Sequence, residues 1–112
     1  VVCNPKDEAV VSPPVEAIVD TGSELTWVPA GILGGAGIHP RRKRTFTTAN
    51  GTILEREVGY AILRADAYET TDEVVFALPG DLTLLGVRTL EGFGVMVDNL
   101  AHRLVATTTV AA

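Results

Sequence analysis

The sequence predicts an all-β domain, and three observations carry that expectation. Short runs rich in β-branched and aromatic residues recur along the 112 residues, separated by Gly, Pro and Asn punctuation. The stretch with most room for a helix, PAGILGGAGIHP, holds four glycines, which makes a long helix improbable. The segment TFTTANGTILEREVGYAIL places an Asn-Gly pair between two strand-like runs, the strongest short-range hairpin signal. Strands at this spacing build a barrel or a sandwich. The length suits one compact domain, residues 1–112, without a second core.

The elements follow in order. VVCN is β-prone and contains Cys3, the sole cysteine, so no internal disulfide can form. A chain without a disulfide fits a reducing compartment and a cytoplasmic location, and Cys3 itself reads as a small buried hydrophobe rather than a nucleophile. VEAIVD and LTWVP are strands on either side of a DTGS turn. Trp27 reads as a packing residue. From Pro29 the chain has room for one helical turn. It lacks the GK[ST] ending of a phosphate-binding loop.

RRKR, residues 41–44, holds four of the nine basic residues and reads as a solvated loop. A docking patch for an acidic partner, or a cleavage site for another protease, is the second reading. Asn50-Gly51 suits a two-residue type I′ turn with positive φ at both positions. Beyond it Leu54, Val58, Tyr60 and Ile62 share one strand face, with Arg56 the exception, and Glu55 and Glu57 point the other way. ETTDEVVFAL is a further strand, stopped by Pro79-Gly80. LTLLG follows, and RTLEGFG has length for only a short helix. VMVD, a turn at NLAH, and RLVAT close the domain with two strands. The ATTTVAA tail either frays or pairs with another chain. Asp66, Asp81 and Asp98 read as turn formers.

Several classes are disfavoured. A formal charge of −5 argues against nucleic acid or an anionic membrane as main partner. No apolar run approaches a membrane span. His39 and His102 lie far apart without zinc-type spacing, so neither a metal nor another cofactor is expected.

The chemistry concentrates in AIVDTGSELTW, where an apolar run ends on Asp20. Asp, Thr, Gly and Ser all favour turns, so an ordinary turn is one reading. The other is a working carboxylate. Acid-catalysed amide hydrolysis needs two carboxyl groups sharing one proton: the ionised one takes a proton from the attacking water, and the protonated one polarises the carbonyl. Like charges that close titrate as a unit. Gly22 would allow a tight turn and close approach of the two acids. Thr21 and Ser23 would supply hydroxyl donors. A Ser23 hydroxyl on the carboxylate would favour the ionised form and an acidic optimum.

DTGS after AIV, the hairpin at ANG, and LLG followed by a short helix resemble the retropepsin-like aspartic proteases, the single-lobed retroviral type. The resemblance spans residues 15–105, and Gly86 falls 66 residues after Asp20, a spacing typical of that type. It implies a small closed barrel with a flap hairpin and one short C-terminal helix. It further implies that Asp20 is the catalytic acid, that Thr21 bonds across a dimer axis, and that Gly22 and Ser23 complete the loop. Asn50 and Gly51 would form the flap tip. Leu84, Leu85 and Gly86 would back the loop and line the pocket. Glu24 matches a position often acidic in retroviral members, with Arg88 as a candidate ion-pair partner, although Val87 intervenes where those enzymes place the Arg directly after the Gly.

The chain has a single DTG, and the dyad needs two acids, so a second copy must supply the other. An isologous homodimer acting on peptide or protein substrates is expected, with VVCN and RLVAT as interface strands. A half-lobe of a two-lobed enzyme fits the order of elements less well. Two function classes stand: a homodimeric endopeptidase, and a catalytically silent dimerisation or peptide-binding module of the same fold.

Overall fold

The computed structural model describes residues 1–98 and 103–106. The chain runs β1 (Val2–Asn4), β2 (Asp7–Val11), β3 (Ile18–Val19), β4 (Thr26–Pro29), α1 (Ala30–Gly35), β5 (Arg42–Thr47), β6 (Ile53–Ala65), β7 (Tyr68–Ala77), β8 (Leu84–Leu85), α2 (Val87–Phe93), β9 (Val95–Asp98) and β10 (Arg103–Ala106). The protein is mostly β, with two short helices where Gly-rich and LEGF segments allow them. The NLAH turn and the tail beyond residue 106 lie outside the described residues.

The main sheet has the order β2-β1-β6-β7-β4-β8-β3, and β5 pairs with β6 off that path. This path is open. The expected closed barrel is not formed by the pairing among the described residues: β3 is a two-residue strand bonded only to β8, and β9–β10 make a separate antiparallel pair. VVCN is not an exposed edge either. β1 lies between β2 and β6, with Val2 and Cys3 fully enclosed.

Strand alternation divides the core into two. Val28, Ala61, Leu63, Val74 and Phe76 point to one face, where Leu33 and Ala36 of the α1 region cover them. Leu25, Val58 and Val75 point to the other, joined by Trp27 and Phe46, whose ring centroids are 5.1 Å apart. Trp27 is thus a packing residue, as its type suggested. Tyr60 departs from the expected apolar face. It is 48% exposed, because the 13-residue β6 leaves its hairpin there and passes between β1 and β7.

The β5–β6 hairpin does not use a type I′ turn. Of its tip residues only Gly51 has positive φ, at 85°, and the Thr48 carbonyl accepts from the Gly51 N–H at 3.0 Å. A left-handed glycine closing such a turn is the three-residue hairpin loop. Asn50 Oδ1 and Thr48 Oγ1 both accept from the Thr52 N–H, so local side-chain bonding stabilises the turn in a form that leaves Asn50 at negative φ.

Most of RRKR is strand rather than loop, although Arg41, Arg42 and Lys43 are exposed. Arg42, Lys43 and Arg44 lie in β5, paired to β6 through Arg42↔Val58, Lys43↔Glu57 and Arg44↔Arg56. Arg42 and Arg44 share a face by the period of two and both bond Glu73, whose side chain is 5% exposed. Burial pushes the Glu73 carboxyl up, but the hydrogen bonds and charges of the two guanidiniums outweigh it and hold it below the ordinary glutamate range.

Candidate active site

The loop carrying Asp20 is built by threading. β8 lies between β3, which enters the loop, and β4, which leaves it: Ile18↔Leu84 and Val19↔Leu85 pair in parallel, and Trp27↔Leu84 pairs antiparallel. The Asp20 N–H donates to the Leu85 carbonyl at 3.0 Å, which fixes the acid at the end of β3. Asp20 Oδ1 accepts from the Gly22 N–H at 2.8 Å, and the Asp20 carbonyl accepts from the Ser23 N–H at 3.1 Å. The carboxylate therefore organises its own turn.

Behind the loop the chain closes tightly. The Val87 and Arg88 N–H groups at the start of α2 donate to the Ser23 and Glu24 carbonyls at 2.8 and 3.0 Å. A Cβ at Gly86 would stand 2.4 Å from the Leu25 carbonyl oxygen, so only glycine fits there. The Gly86 N–H donates to buried Thr26 Oγ1 at 2.9 Å, and that hydroxyl shares a further hydrogen bond of 2.5 Å with Thr89 Oγ1. The buried Gly86 N–H and both hydroxyls thus find partners.

Asp20 opens into a cleft of about 790 Å³. Trp27, Leu25 and Leu84 line it from the loop side, Phe46 and Leu54 from the hairpin, and Asp81 and Leu82 from the loop before β8. Arg56 grips Asp81 at 2.7 and 2.9 Å, and both side chains are 14% exposed. Hydrogen bonding from Arg56, against the opposing effect of burial, holds the Asp81 carboxyl below its ordinary range. The same pair explains why an arginine sits on the apolar face of β6.

A family model described as "Aspartyl protease" matches residues 10–100, most of the chain. The chain belongs to this aspartyl protease family, which is of the retropepsin-like type. No curated protein matches it.

For this aspartyl protease family member, the structure brings some of the sequence-derived site residues together and separates others. Asp20, Gly22, Ser23 and Leu84 line the cleft. Thr21 is exposed on the same loop. Leu85 does not line the cleft. By strand alternation it faces a second, largely apolar cavity with Val19 and Val28. Gly86 is buried against backbone and does not line the cleft. Asn50 and Gly51 are not on the cleft wall either. Thr48 and Ala49, the two residues before them, take that place.

Two expected contacts are replaced. Ser23 Oγ donates to the Leu25 carbonyl at 2.7 Å rather than to the Asp20 carboxylate, so it gives no basis for an acidic optimum. The Arg88 guanidinium pairs with Asp72 at 3.1 Å rather than with Glu24, which lines the cleft. From its place in the first turn of α2, Arg88 reaches Asp72 of β7. Sequence reading missed Arg44, Phe46, Asp81 and Leu82 as cleft residues. The alternation of Arg42, Arg44 and Phe46 was the available signal for a strand there. Among the described residues no cluster of three or more His, Cys, Asp or Glu could hold a metal, and no helix is long and apolar enough to cross a membrane.

Proposed function

We propose that this chain is an aspartic endopeptidase acting as a homodimer, with Asp20 of each protomer forming one catalytic dyad. One carboxylate takes a proton from the attacking water while the other, protonated, donates to the scissile carbonyl oxygen. As the amide nitrogen leaves, it collects a proton from the dyad. Thr21 would bond across the two-fold axis, Gly22 and Ser23 hold the loop, and the β5–β6 hairpin covers the substrate.

The observation that carries this reading is the single DTG-borne carboxylate on the wall of a cleft. Two other acids line the cleft, Glu24 and Asp81; Glu24 lies outside the DTG turn, and Asp81 is bound by Arg56 and so is not available to share a proton with Asp20. Ile18 and Val19, immediately before Asp20, are 56% and 40% exposed on an edge strand, an apolar surface suited to a second copy. The walls formed by Trp27, Phe46, Leu54 and Leu82 favour apolar side chains beside the scissile bond. Incubating the protein with a peptide library at several pH values, beside Asp20→Asn, tests the chemistry. Cleavage lost in the variant supports it, and equal cleavage removes it. Sedimentation at micromolar concentration should show a dimer, and an active monomer would contradict the shared dyad.

A further inference from the structure

A third cavity, of about 250 Å³, lies between the β1–β2 turn and the loop entering β5, and Asp20 is not among its lining residues. Its walls include Asn4, Lys6, Gly37, His39, Arg41 and Tyr60, with no acidic side chain among them. That composition runs against the net charge of −5. Among the described residues neither Lys6 nor Arg41 has a carboxylate partner, whereas Arg42, Lys43, Arg44, Arg56, Arg64 and Arg88 each have one. Arg41 instead rests over the Tyr60 ring, 5.9 Å from its centroid. Next to it, Arg42 and Arg44 share a single carboxylate, so the strand remains net positive there.

The walls are also held in place. Asn4 Nδ2 donates to the Ala36 and Gly37 carbonyls at 3.2 and 3.1 Å, and Asn4 Oδ1 accepts from the Lys6 N–H at 2.9 Å. The Arg41 N–H donates to the Val58 carbonyl at 2.7 Å. One asparagine thus ties the turn bearing Lys6 to the loop before Arg41. Two uncompensated cations and an exposed aromatic ring converge on a small cavity whose backbone is fixed.

We propose that this cavity docks an acidic peptide segment of a protein partner, with a Glu or Asp side chain seated between Lys6 and Arg41 and its stem against Tyr60. The charge complementarity of the unpaired cations selects this occupant, and the guanidinium fork suits a carboxylate. The inference does not depend on the chemistry at Asp20.

The test uses the full chain carrying Asp20→Asn, so that a probe is not consumed, and a fluorescent peptide rich in Glu and Asp, read by anisotropy. A probe of the same length with Gln and Asn is the comparison. Binding should be at least about tenfold weaker for the neutral probe and for Lys6→Gln/Arg41→Gln, and should weaken as salt rises. Lys43→Gln, on the same basic run but outside the cavity, should leave affinity unchanged. Matching thermal melts establish that the variants fold. Equal affinity for both probes, no binding of the acidic probe, or an equal loss in Lys43→Gln would each overturn the proposal. So would binding to anionic lipid vesicles in place of the peptide.

Discussion

Replacing Gly86 by Ala probes how the supporting strand holds the acid in place. The new Cβ would stand 2.4 Å from the Leu25 carbonyl oxygen, 2.5 Å from its carbon and 2.9 Å from the Ser23 oxygen. Carbon–oxygen contacts of this kind settle at roughly 3.3 Å or more, so the gap must open by roughly 0.9 Å. The obstructing atoms are backbone on the catalytic loop and cannot swing aside as a flexible side chain would. Overpacking costs about 1–3 kcal/mol, and the upper end of about 3 kcal/mol is expected here. The strain falls on the segment that positions Asp20, and a misplacement of roughly 1 Å costs on the order of 100-fold in rate. Urea unfolding and kcat/KM on a cleaved peptide read the two effects separately. Gly31→Ala in α1 is the matched comparison. Nothing lies within 4 Å of its Cβ, so it should gain about 0.5–1 kcal/mol. A Gly86→Ala protein as stable as the parent would refute the steric argument. One that is destabilised yet keeps full kcat/KM would refute the link from β8 to Asp20.

Three further outcomes are expected. Glu73 and Asp81 both have lowered carboxyl values when folded, so their stabilisation is complete above the unfolded range, roughly pH 4, and is lost as pH falls through the folded values. Urea midpoints measured across acid pH should fall less steeply in Glu73→Gln than in the parent, and unchanged slopes would contradict this. Arg56→Met should cost about 1–3 kcal/mol by leaving the half-enclosed Asp81 without its bidentate donor, measured by thermal or urea unfolding. Thr26→Val removes the acceptor of the buried Gly86 N–H, and a loss of about 1–3 kcal/mol in the same assay is expected.

What the sequence disclosed was local or repeated within a short window. Asp20 at the end of an apolar run, glycine at the hairpin tip, and the Leu84-Leu85-Gly86 element before a short helix each announce their geometry through neighbours in the chain. Pairings set by strand register were invisible. Nothing near RRKR foretold that Arg42 and Arg44 would reach Glu73, since this requires β5 and β7 to flank β6 at a particular offset. The diversion of Arg88 to Asp72 and the burial of β1 depend on the same long-range arrangement. Asn50-Gly51 misled for a different reason. The dipeptide favours a type I′ turn, but hydrogen bonds from Thr52 to Thr48 and Asn50 favour the longer loop.

The threading of β8 between β3 and β4 also has a temporal meaning. Residues 18–20 lack their bonding partners until residues 83–85 arrive, and residues 23–24 until residues 87–88 do. Closing so long a segment is entropically costly, and non-local pairings of this kind slow folding. A ribosome that has released only the first two-thirds of this sequence holds every atom of Asp20 but no organised loop around it. In the homodimer proposed above, each copy must complete this loop before two of them can pair their Asp20 side chains into a dyad.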